Sequence, residues 1–308
     1  MRRAFVTTSY PAYAGDPAGH FVRSEADAAA ETDEVIVVAP ADDGRRTQRI
    51  EGRVTVLRLP HGEALGWPGA ATRIRARPTR ALGLAGYLLD ARRAVESLAP
   101  DAVVAHWAIP GALAVAAVSP ADLSIVSHGA DVRLLNGLPR VIRDRLVTRL
   151  ARRCSAWRFV SDALYRELDL GREAARQLAR KVVIRPSPIV LPPLAPAQER
   201  AGVAPLFVSV GRLVASKNVH HALEYVAHTH GRSARLVIVG DGPERAALER
   251  RAAELDVDAH FVGLLPRPQA LRWISDAGAL LMASTSEGLS TVVREAESLG
   301  TPVRWVGR

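Results

Sequence analysis

The chain alternates short apolar runs with stretches of helical periodicity, and this alternation restarts once, after a segment that holds five prolines between residues 185 and 202. Alternating strand and helix patterns favour parallel sheets with helices on both faces. The clearest apolar runs, four to six residues each, are 34–39, 54–59, 102–105, 206–210, 235–239 and 279–282. We therefore predict an α/β fold with two Rossmann-like domains, residues 1–187 and 205–308, joined by a Pro-rich linker at residues 188–204.

Composition narrows the class of protein and of partner. With 48% hydrophobic residues in 308, the chain is globular. The single cysteine, Cys154, excludes a disulfide framework, and no apolar run approaches the ~20 residues of a membrane span, so we predict a cytoplasmic protein. A net charge of +9 favours acidic partners such as nucleotide diphosphates or anionic lipid head groups. No zinc-finger or RNA-recognition pattern is present, so we predict no nucleic-acid partner.

Residues 284–300 carry the strongest local signal for a binding site. An apolar run at residues 277–283 leads into a turn of small residues, and apolar residues then recur at helical spacing until Gly300, where a C-cap belongs. A strand, a turn and a helix start in this order direct backbone N–H groups and the positive end of a helix dipole to the strand ends. This geometry suits a phosphate.

Two glutamates, Glu287 and Glu295, lie in this stretch. A helix that held both would place them on roughly one face, on the order of 12 Å apart along its axis. That separation is too large for one acid/base pair on one bond, but it suits carboxylates that accept from two hydroxyl-bearing parts of one long ligand. The alternative, which spacing alone favours, is a helix-capping Glu287 and a solvated Glu295.

Two histidines follow predicted strands of the first half. His106 ends the run at residues 102–105, and His128 follows a strand at residues 123–127. Function collects at strand ends in such sheets, although a hydrogen-bonded structural histidine is an open alternative for each. Nearby Asp131 either orients an imidazole or caps the next helix.

A basic amphipathic helix is predicted at residues 138–153, which contain six arginines. Such a helix can lie on an anionic membrane surface, and we keep peripheral attachment to the inner face of the plasma membrane as an alternative. An ordinary surface helix packed on its own sheet is favoured, because every helix of a doubly wound fold has a solvent face.

The two glutamates with seven residues between them, Gly288 after the first and residues 300–303 following resemble the signature of the retaining glycosyltransferases of family four. Other stretches resemble that family in the same order, and the resemblance covers nearly the whole chain. These stretches are 105–107, 127–131, 210–213, 217–218, 239–244 and 261–263.

The resemblance implies a GT-B architecture with a cleft between its two domains, and transfer of a sugar from a nucleotide-sugar donor to a glycan or lipid-linked acceptor with retention of configuration. It implies no cofactor and no metal requirement. It assigns catalytic roles to His128 and Glu287, and places Gly19 where the family's first loop approaches donor phosphates or acceptor. It assigns donor-binding roles to Arg212, Lys217, Gly240, Gly242, Val262, Gly288, Leu289, Ser290, Thr291 and Glu295.

Two departures from the family pattern bear on activity. Gly288-Leu289-Ser290 stands where the family usually has Gly-Phe-Gly, so donor preference is open. Family members continue beyond the position of Arg308, so we expect a second domain shortened at its C-terminus and poor activity of this chain alone. The alternatives are an inactive nucleotide-sugar-binding pseudoenzyme and, less favoured because no second acid/base pair is placed for it, a sugar-nucleotide epimerase.

Overall fold

The computed structural model describes residues 1–41, 43–66, 69–118, 122–194, 205–284 and 289–307. The chain divides into two compact units, the first comprising Met1–Ala14 with Ala18–Pro188 and the second Gly15–Pro17 with Ile189–Arg308. Most of the predicted linker, residues 195–204, lies outside the described residues, so its bounds stay a prediction.

Unit 1 forms, within its described residues, an eight-stranded sheet in the order β3-β4-β2-β1-β5-β6-β7-β8. Every pair is parallel except β3 with β4, which is antiparallel at the sheet edge. The strands are β1 Arg2–Val6, β2 Glu34–Pro40, β3 Thr47–Glu51, β4 Val54–Leu59, β5 Ala102–His106, β6 Asp122–Ser127, β7 Ala156–Phe159 and β8 Val182–Ile184. The strand order reverses between β1 and β5, which is where ligands bind in doubly wound sheets.

The helices of unit 1 follow its strands in the crossovers that parallel pairing requires. They are α1 His20–Ala29, α2 Ala70–Ala76, α3 Arg80–Leu98, α4 Leu113–Val115, α5 Ala130–Asn136, α6 Arg140–Arg153, α7 Asp162–Arg166 and α8 Arg172–Ala179. The largest fully buried side chains include Trp157 and Tyr87. Each satisfies its polar atom, since Trp157 Nε1 donates to Ser127 Oγ at 2.9 Å and the Tyr87 hydroxyl donates to the carbonyl of Thr7.

Cys154 lies at the C-terminal end of α6, where its side chain is buried. Its Sγ faces the carbonyl oxygen of Ala151 at 3.8 Å. Burial raises the pKa of the thiol to about 11. A thiol with so high a pKa is a poor nucleophile at neutral pH, which agrees with the structural role expected of this residue.

Unit 2 forms, in its described part, a five-stranded parallel sheet in the order β11-β10-β9-β12-β13. The strands are β9 Leu206–Val210, β10 Arg235–Val239, β11 Asp258–Gly263, β12 Ala279–Met282 and β13 Val303–Trp305. Alternate residues enter two separate cores, with Phe207 and Leu236 in one and Val208 and Val237 in the other. The sheet is therefore covered on both faces, and its order reverses between β9 and β12.

Four helices cover this sheet: α9 His220–Thr229, α10 Arg245–Glu254, α11 Arg267–Asp276 and α12 Thr291–Ser298. α12 begins only at Thr291, and Leu289 and Ser290 before it are not helical. Glu287 lies outside the described residues, so its position relative to Glu295 stays a prediction. Gly300 ends the helix as expected: its φ is +73°, its N–H donates to Glu297, and the N–H of Thr301 donates to Ala296. These two bonds form a Schellman motif.

The α/β fold with two Rossmann-like domains is confirmed. Strands predicted at 54–59, 206–210, 235–239 and 279–282 coincide with β4, β9, β10 and β12. Sequence periodicity does not predict β3, because residues 47–51 contain no apolar run. Its side chains are mostly exposed at the sheet edge, where no apolar alternation is required. Among the described residues, no helix combines the length and the apolar character that crossing a membrane demands.

Candidate functional site

Three loops at the carboxyl edge of the unit 2 sheet are bonded into one backbone surface. After β9, the N–H of Gly211 donates to Val239 at 2.9 Å, and the N–H of Leu213 donates to Asp241 at 2.9 Å. After β10, the N–H of Gly240 donates to Gly263, at the end of β11, at 2.8 Å. The predicted donor-binding residues Arg212, Gly240 and Gly242 are thereby brought together.

Glycine is required at two positions of this surface. A Cβ on Gly240 would lie 1.9 Å from the carbonyl oxygen of Gly211, and its φ is +136°. A Cβ on Gly242 would lie 2.3 Å from the carbonyl oxygen of Leu213. Both glycines let the loops after β9 and β10 touch backbone to backbone, which no side chain permits.

Arg212 and Lys217 lie in the same loop, and both are half-buried. Lys217 ends a short 3₁₀ turn, Ala215–Lys217, and Asn218 follows in the left-handed conformation at φ +49°. The Asn218 side-chain amide donates to the carbonyl of Ala283 at 3.4 Å. That bond ties the loop after β9 to the end of β12, so both cations lie at the reversal of strand order.

Other predicted donor-binding residues lie around this edge in different ways. Val262, in β11, packs its side chain against a core cluster, so its side chain serves packing. Leu289 precedes the helix, Ser290 is the N-cap residue of α12 without a side-chain cap, and Thr291 is the first helical residue. Glu287 and Gly288 lie outside the described residues, and their predicted roles stay predictions.

Glu295 is buried, at 4% exposure, and bonded to an arginine. Its Oε1 accepts from Arg267 Nε at 2.7 Å. The alternative of a solvated Glu295 is therefore wrong. Arg267, at the start of α11, was not singled out by the sequence, and its Nη2 is buried without a hydrogen bond in the part of the chain that the structure describes. A buried ion pair of this kind persists because each charge compensates the other.

In unit 1, His106 and His128 form a stacked and hydrogen-bonded pair. His106 Nδ1 lies 2.9 Å from His128 Nε2, and the rings are 12° from parallel. Burial, and secondarily the charge of Arg158, lowers the pKa of His106 to about 3. Burial, followed by His106 and Arg158, lowers the pKa of His128 well below its usual value. Both imidazoles are therefore neutral at pH 7.

Asp131 shapes the backbone around these histidines and does not orient an imidazole. Its fully buried carboxylate accepts from the backbone N–H groups of Ala108 at 2.9 Å, His128 at 3.2 Å and Gly129 at 3.1 Å. Burial raises the pKa of Asp131. The carboxylate joins the segment after β5 to the segment after β6, which places the two histidines side by side.

Sequence reasoning missed two neighbours of the pair, Phe21 and Arg158. The Phe21 ring lies 4.7 Å from that of His128. Arg158, in β7, is bound by Glu25 of α1 at 2.7 Å. No motif marks these residues, because they reach the histidines only through strand order and helix packing.

Gly19 is the N-cap residue of α1 and precedes Phe21, whose ring contacts His128, by two residues. Its φ is +64°, and a Cβ there would lie 2.3 Å from the carbonyl oxygen of Ser9. The glycine allows α1 to begin against the loop after β1, so that Phe21 reaches His128. In the described residues, no group of three or more His, Cys, Asp or Glu side chains is arranged to hold a metal ion.

Two parallel sheets, each with helices on both faces and a reversal of strand order, are the architecture of the GT-B glycosyltransferases. Solved structures of this class match 99% of the chain. They include sucrose-phosphate synthase from Thermosynechococcus elongatus, with a TM-score of 0.74, 17% identity and 80% of that chain covered. They also include the trehalose-6-phosphate synthase OtsA, with a TM-score of 0.68, 14% identity and 84% covered. At these identities, the similarity shows the fold alone.

Sequence similarity is concentrated in unit 2. Residues 195–303 match the family model described as glycosyl transferases group 1. A 2-deoxystreptamine glucosyltransferase of Streptomyces kanamyceticus is 36% identical over 107 residues, 33% of this chain and 28% of that protein. The lipopolysaccharide core biosynthesis glycosyltransferase LpsE of Rhizobium meliloti (strain 1021) is 33% identical over 102 residues, 32% of this chain and 29% of that protein. The matched region thus spans under a third of each of these relatives.

Proposed function

We propose that this protein transfers a sugar from a nucleotide-sugar donor to a glycan or lipid-linked acceptor, with retention of anomeric configuration. The observation that carries the proposal is the backbone surface at the carboxyl edge of the unit 2 sheet. Arg212 and Lys217 lie on one of its loops, and Gly240 and Gly242 keep side chains out of it. The edge that hosts ligands in such sheets therefore carries two cations beside a backbone surface that no side chain obstructs, which suits a diphosphate.

Arg212 and Lys217 would neutralise the donor diphosphate. Negative charge develops on that group as the bond from the anomeric carbon to the phosphate oxygen breaks, so fixed cations stabilise the transition state more than the ground state. The arginine suits bidentate contact with phosphate oxygens, and the lysine acts as a point charge. The first amides of α12 would add donors, because the Ser290 side chain does not cap them.

The glutamates would hold the rest of the donor. In this proposal Glu287 accepts from sugar hydroxyls, while Glu295 accepts from the ribose diol. The pairing of Glu295 with Arg267 holds that side chain in one orientation. The structure supports a preformed carboxylate at Glu295, because a buried charge without such a partner would be protonated or displaced.

His128 would serve at the acceptor or the reacting carbon as a neutral imidazole. In the proposed step, the acceptor oxygen bonds to the anomeric carbon on the face that the diphosphate leaves. The acceptor proton passes to the departing phosphate oxygen, so no protein nucleophile is required. Relatives support the class of reaction: one is a 2-deoxystreptamine glucosyltransferase, and a solved structure of similar fold is bound with UDP-2-fluoro glucose.

The test is a thermal-shift titration with nucleoside diphosphates and nucleotide sugars, combined with a turnover assay. The chain has only two lysines, so Lys181→Ala in unit 1 is a matched control for Lys217→Ala. We expect one nucleotide to raise the melting temperature of wild type and of Lys181→Ala, and not of Lys217→Ala.

The contrary outcomes are distinct. No shift with any nucleotide would refute the donor site. A shift that depends on Lys217, without hydrolysis or transfer for any sugar that binds, would favour the alternative of a nucleotide-sugar-binding pseudoenzyme. Product formed without an acceptor and without loss of the sugar would favour the epimerase.

A further inference from the structure

Helix α6 of unit 1 exposes a row of arginines that the fold does not use. Its buried face consists of Arg143, Val147, Leu150 and Ala151. Arg145, Arg149 and Arg152 lie on the opposite face and are exposed, since positions three, four and seven apart share one side of a helix. The buried Arg143 has its own partner, Asp169, at 2.7 Å. The helix therefore separates its structural arginine from the exposed ones.

Within the described chain, Arg145, Arg149 and Arg152 make no hydrogen bond or close ion pair. They line an open groove of about 790 Å³ between α6 and α8, together with Arg172 and Arg153. The groove also contains two acidic residues, and one of them, Glu173, interacts electrostatically with Arg152. Asp144 accepts from the N–H of Gly171 at 3.2 Å, and Glu173 accepts from Gln177 and Arg176, each at 2.8 Å. Its five arginines outnumber these two acids, so the groove carries a net positive charge.

The same solvent face also carries large apolar side chains. Val141 is 61% exposed and Ile142 is 47% exposed, both in the first turn of α6. Both residues lie on the face opposite the core and precede the arginines. The exposed surface is therefore apolar at the N-terminal end of α6 and positively charged along the rest of the helix. A small dissolved anion would contact only the arginines. A lipid surface would contact the arginines through its head groups and the apolar side chains through its acyl chains.

We propose that the exposed face of α6 is a membrane-docking surface that binds anionic phospholipid. Arg145, Arg149 and Arg152 would contact head-group phosphates, with Arg172 across the groove, while Val141 and Ile142 would enter the boundary between head groups and acyl chains. Arginine suits this partner because its planar fork binds phosphate oxygens in pairs. Such docking would hold unit 1 at the surface where lipid-linked acceptors reside, but it does not depend on sugar transfer.

The test is co-flotation of the whole chain with vesicles, one set of phosphatidylcholine alone and one of equimolar phosphatidylglycerol and phosphatidylcholine. We expect binding to the anionic vesicles only, weakening as NaCl is raised from about 0.1 M to about 1 M. The triple variant Arg145→Gln, Arg149→Gln, Arg152→Gln should lower the partition coefficient on the order of 100-fold.

The matched control removes the same charge elsewhere. Arg92→Gln, Arg93→Gln and Arg232→Gln change exposed arginines that pair with surface acids, and this triple variant should partition within about threefold of wild type. A second variant, Val141→Ser with Ile142→Ser, keeps every charge and should release most of the binding that survives high salt. Lys217→Ala, which removes the proposed donor cation, should dock as wild type does.

Three results would overturn the proposal. Wild type could fail to prefer anionic vesicles, or the two triple variants could lose binding equally, which would make net charge the cause. Alternatively, pyrophosphate could bind through Arg145 and Arg149 while vesicles do not, which would identify a soluble anion as the occupant.

Discussion

His106 Nδ1 lies 2.9 Å from His128 Nε2, with the ring centroids 5.1 Å apart. One nitrogen must donate and the other accept. His106 Nε2 is buried and makes no hydrogen bond in the described chain. An orphaned buried N–H is rarer than an orphaned acceptor, so the arrangement of lower energy has the proton on His106 Nδ1. His128 then carries its own proton on Nδ1, as a donor to whatever binds beside it.

This tautomer assignment is testable by nitrogen-15 NMR of histidine-labelled protein. We expect His106 to show a protonated Nδ1 and a bare Nε2, and His128 the same form. His228, which is exposed and bonded through Nδ1 to the carbonyl of Glu224 at 2.7 Å, supplies a reference for a protonated Nδ1. A protonated Nε2 on His106 would contradict the assignment.

The lowered pKa of His106 makes folding stability depend on pH. The native group stays neutral down to about pH 3, whereas an unfolded histidine binds a proton below about pH 6.5. Between these values the unfolded state holds more protons, so stability is full above pH 6.5 and falls as the pH drops, by up to about 1.4 kcal/mol per pH unit. Urea unfolding of wild type and His106→Gln between pH 7 and pH 5 checks this. The variant should show the shallower slope, and equal slopes would refute the prediction.

Gly240→Ala should unfold unit 2 or destabilise it by more than about 3 kcal/mol, because its Cβ would collide with the carbonyl of Gly211. Gly231→Ala is the matched control, since it also has positive φ, +53°, but nothing lies within 4 Å of the added carbon. We expect that control to lose only about 1–2 kcal/mol. Chemical denaturation measures the stability of both variants. Similar losses of stability would show that the positive φ, and not the collision with the Gly211 carbonyl, causes the loss.

Breaking the Arg267–Glu295 pair should cost more than removing it. Arg267→Met or Glu295→Gln alone leaves one buried group without its partner and should cost about 3 kcal/mol or more. The double variant should be less destabilised than the sum of the two single variants. A double-mutant cycle on urea unfolding measures this coupling, and strict additivity would mean that the two side chains do not interact.

Much of unit 2 follows from sequence because buried parallel strands are continuous apolar runs. β9, β10 and β12 begin and end at the predicted residues, and the glycines that close their loops were singled out in advance. The pair between Arg267 and Glu295 could not be predicted in the same way. Arg267 precedes Glu295 by 28 residues, and only the packing of α11 near α12 brings them together.

Unit 1 shows the same division. The family resemblance selected His128, but its stacking on His106 depends on the order of β5 and β6 and on the backbone N–H groups that Asp131 binds. The edge strand β3 has no apolar pattern, since one side faces solvent and its partner β4 supplies the register. Sequence periodicity indicates which residues are buried. It does not predict a strand or a side-chain contact that depends on neighbouring elements of the fold.

Because Cys154 is buried, the chain is suited to site-specific labelling at an engineered cysteine. It is the sole cysteine of the sequence, and its thiol is shielded and held protonated by its raised pKa of about 11. A maleimide dye added at neutral pH would therefore leave the native protein unmarked, while an engineered Ile142→Cys would take one label. The emission of a polarity-sensitive dye at that site would report whether the first turn of α6 has moved from water into a lipid layer. Cys154 would not have to be replaced for this measurement.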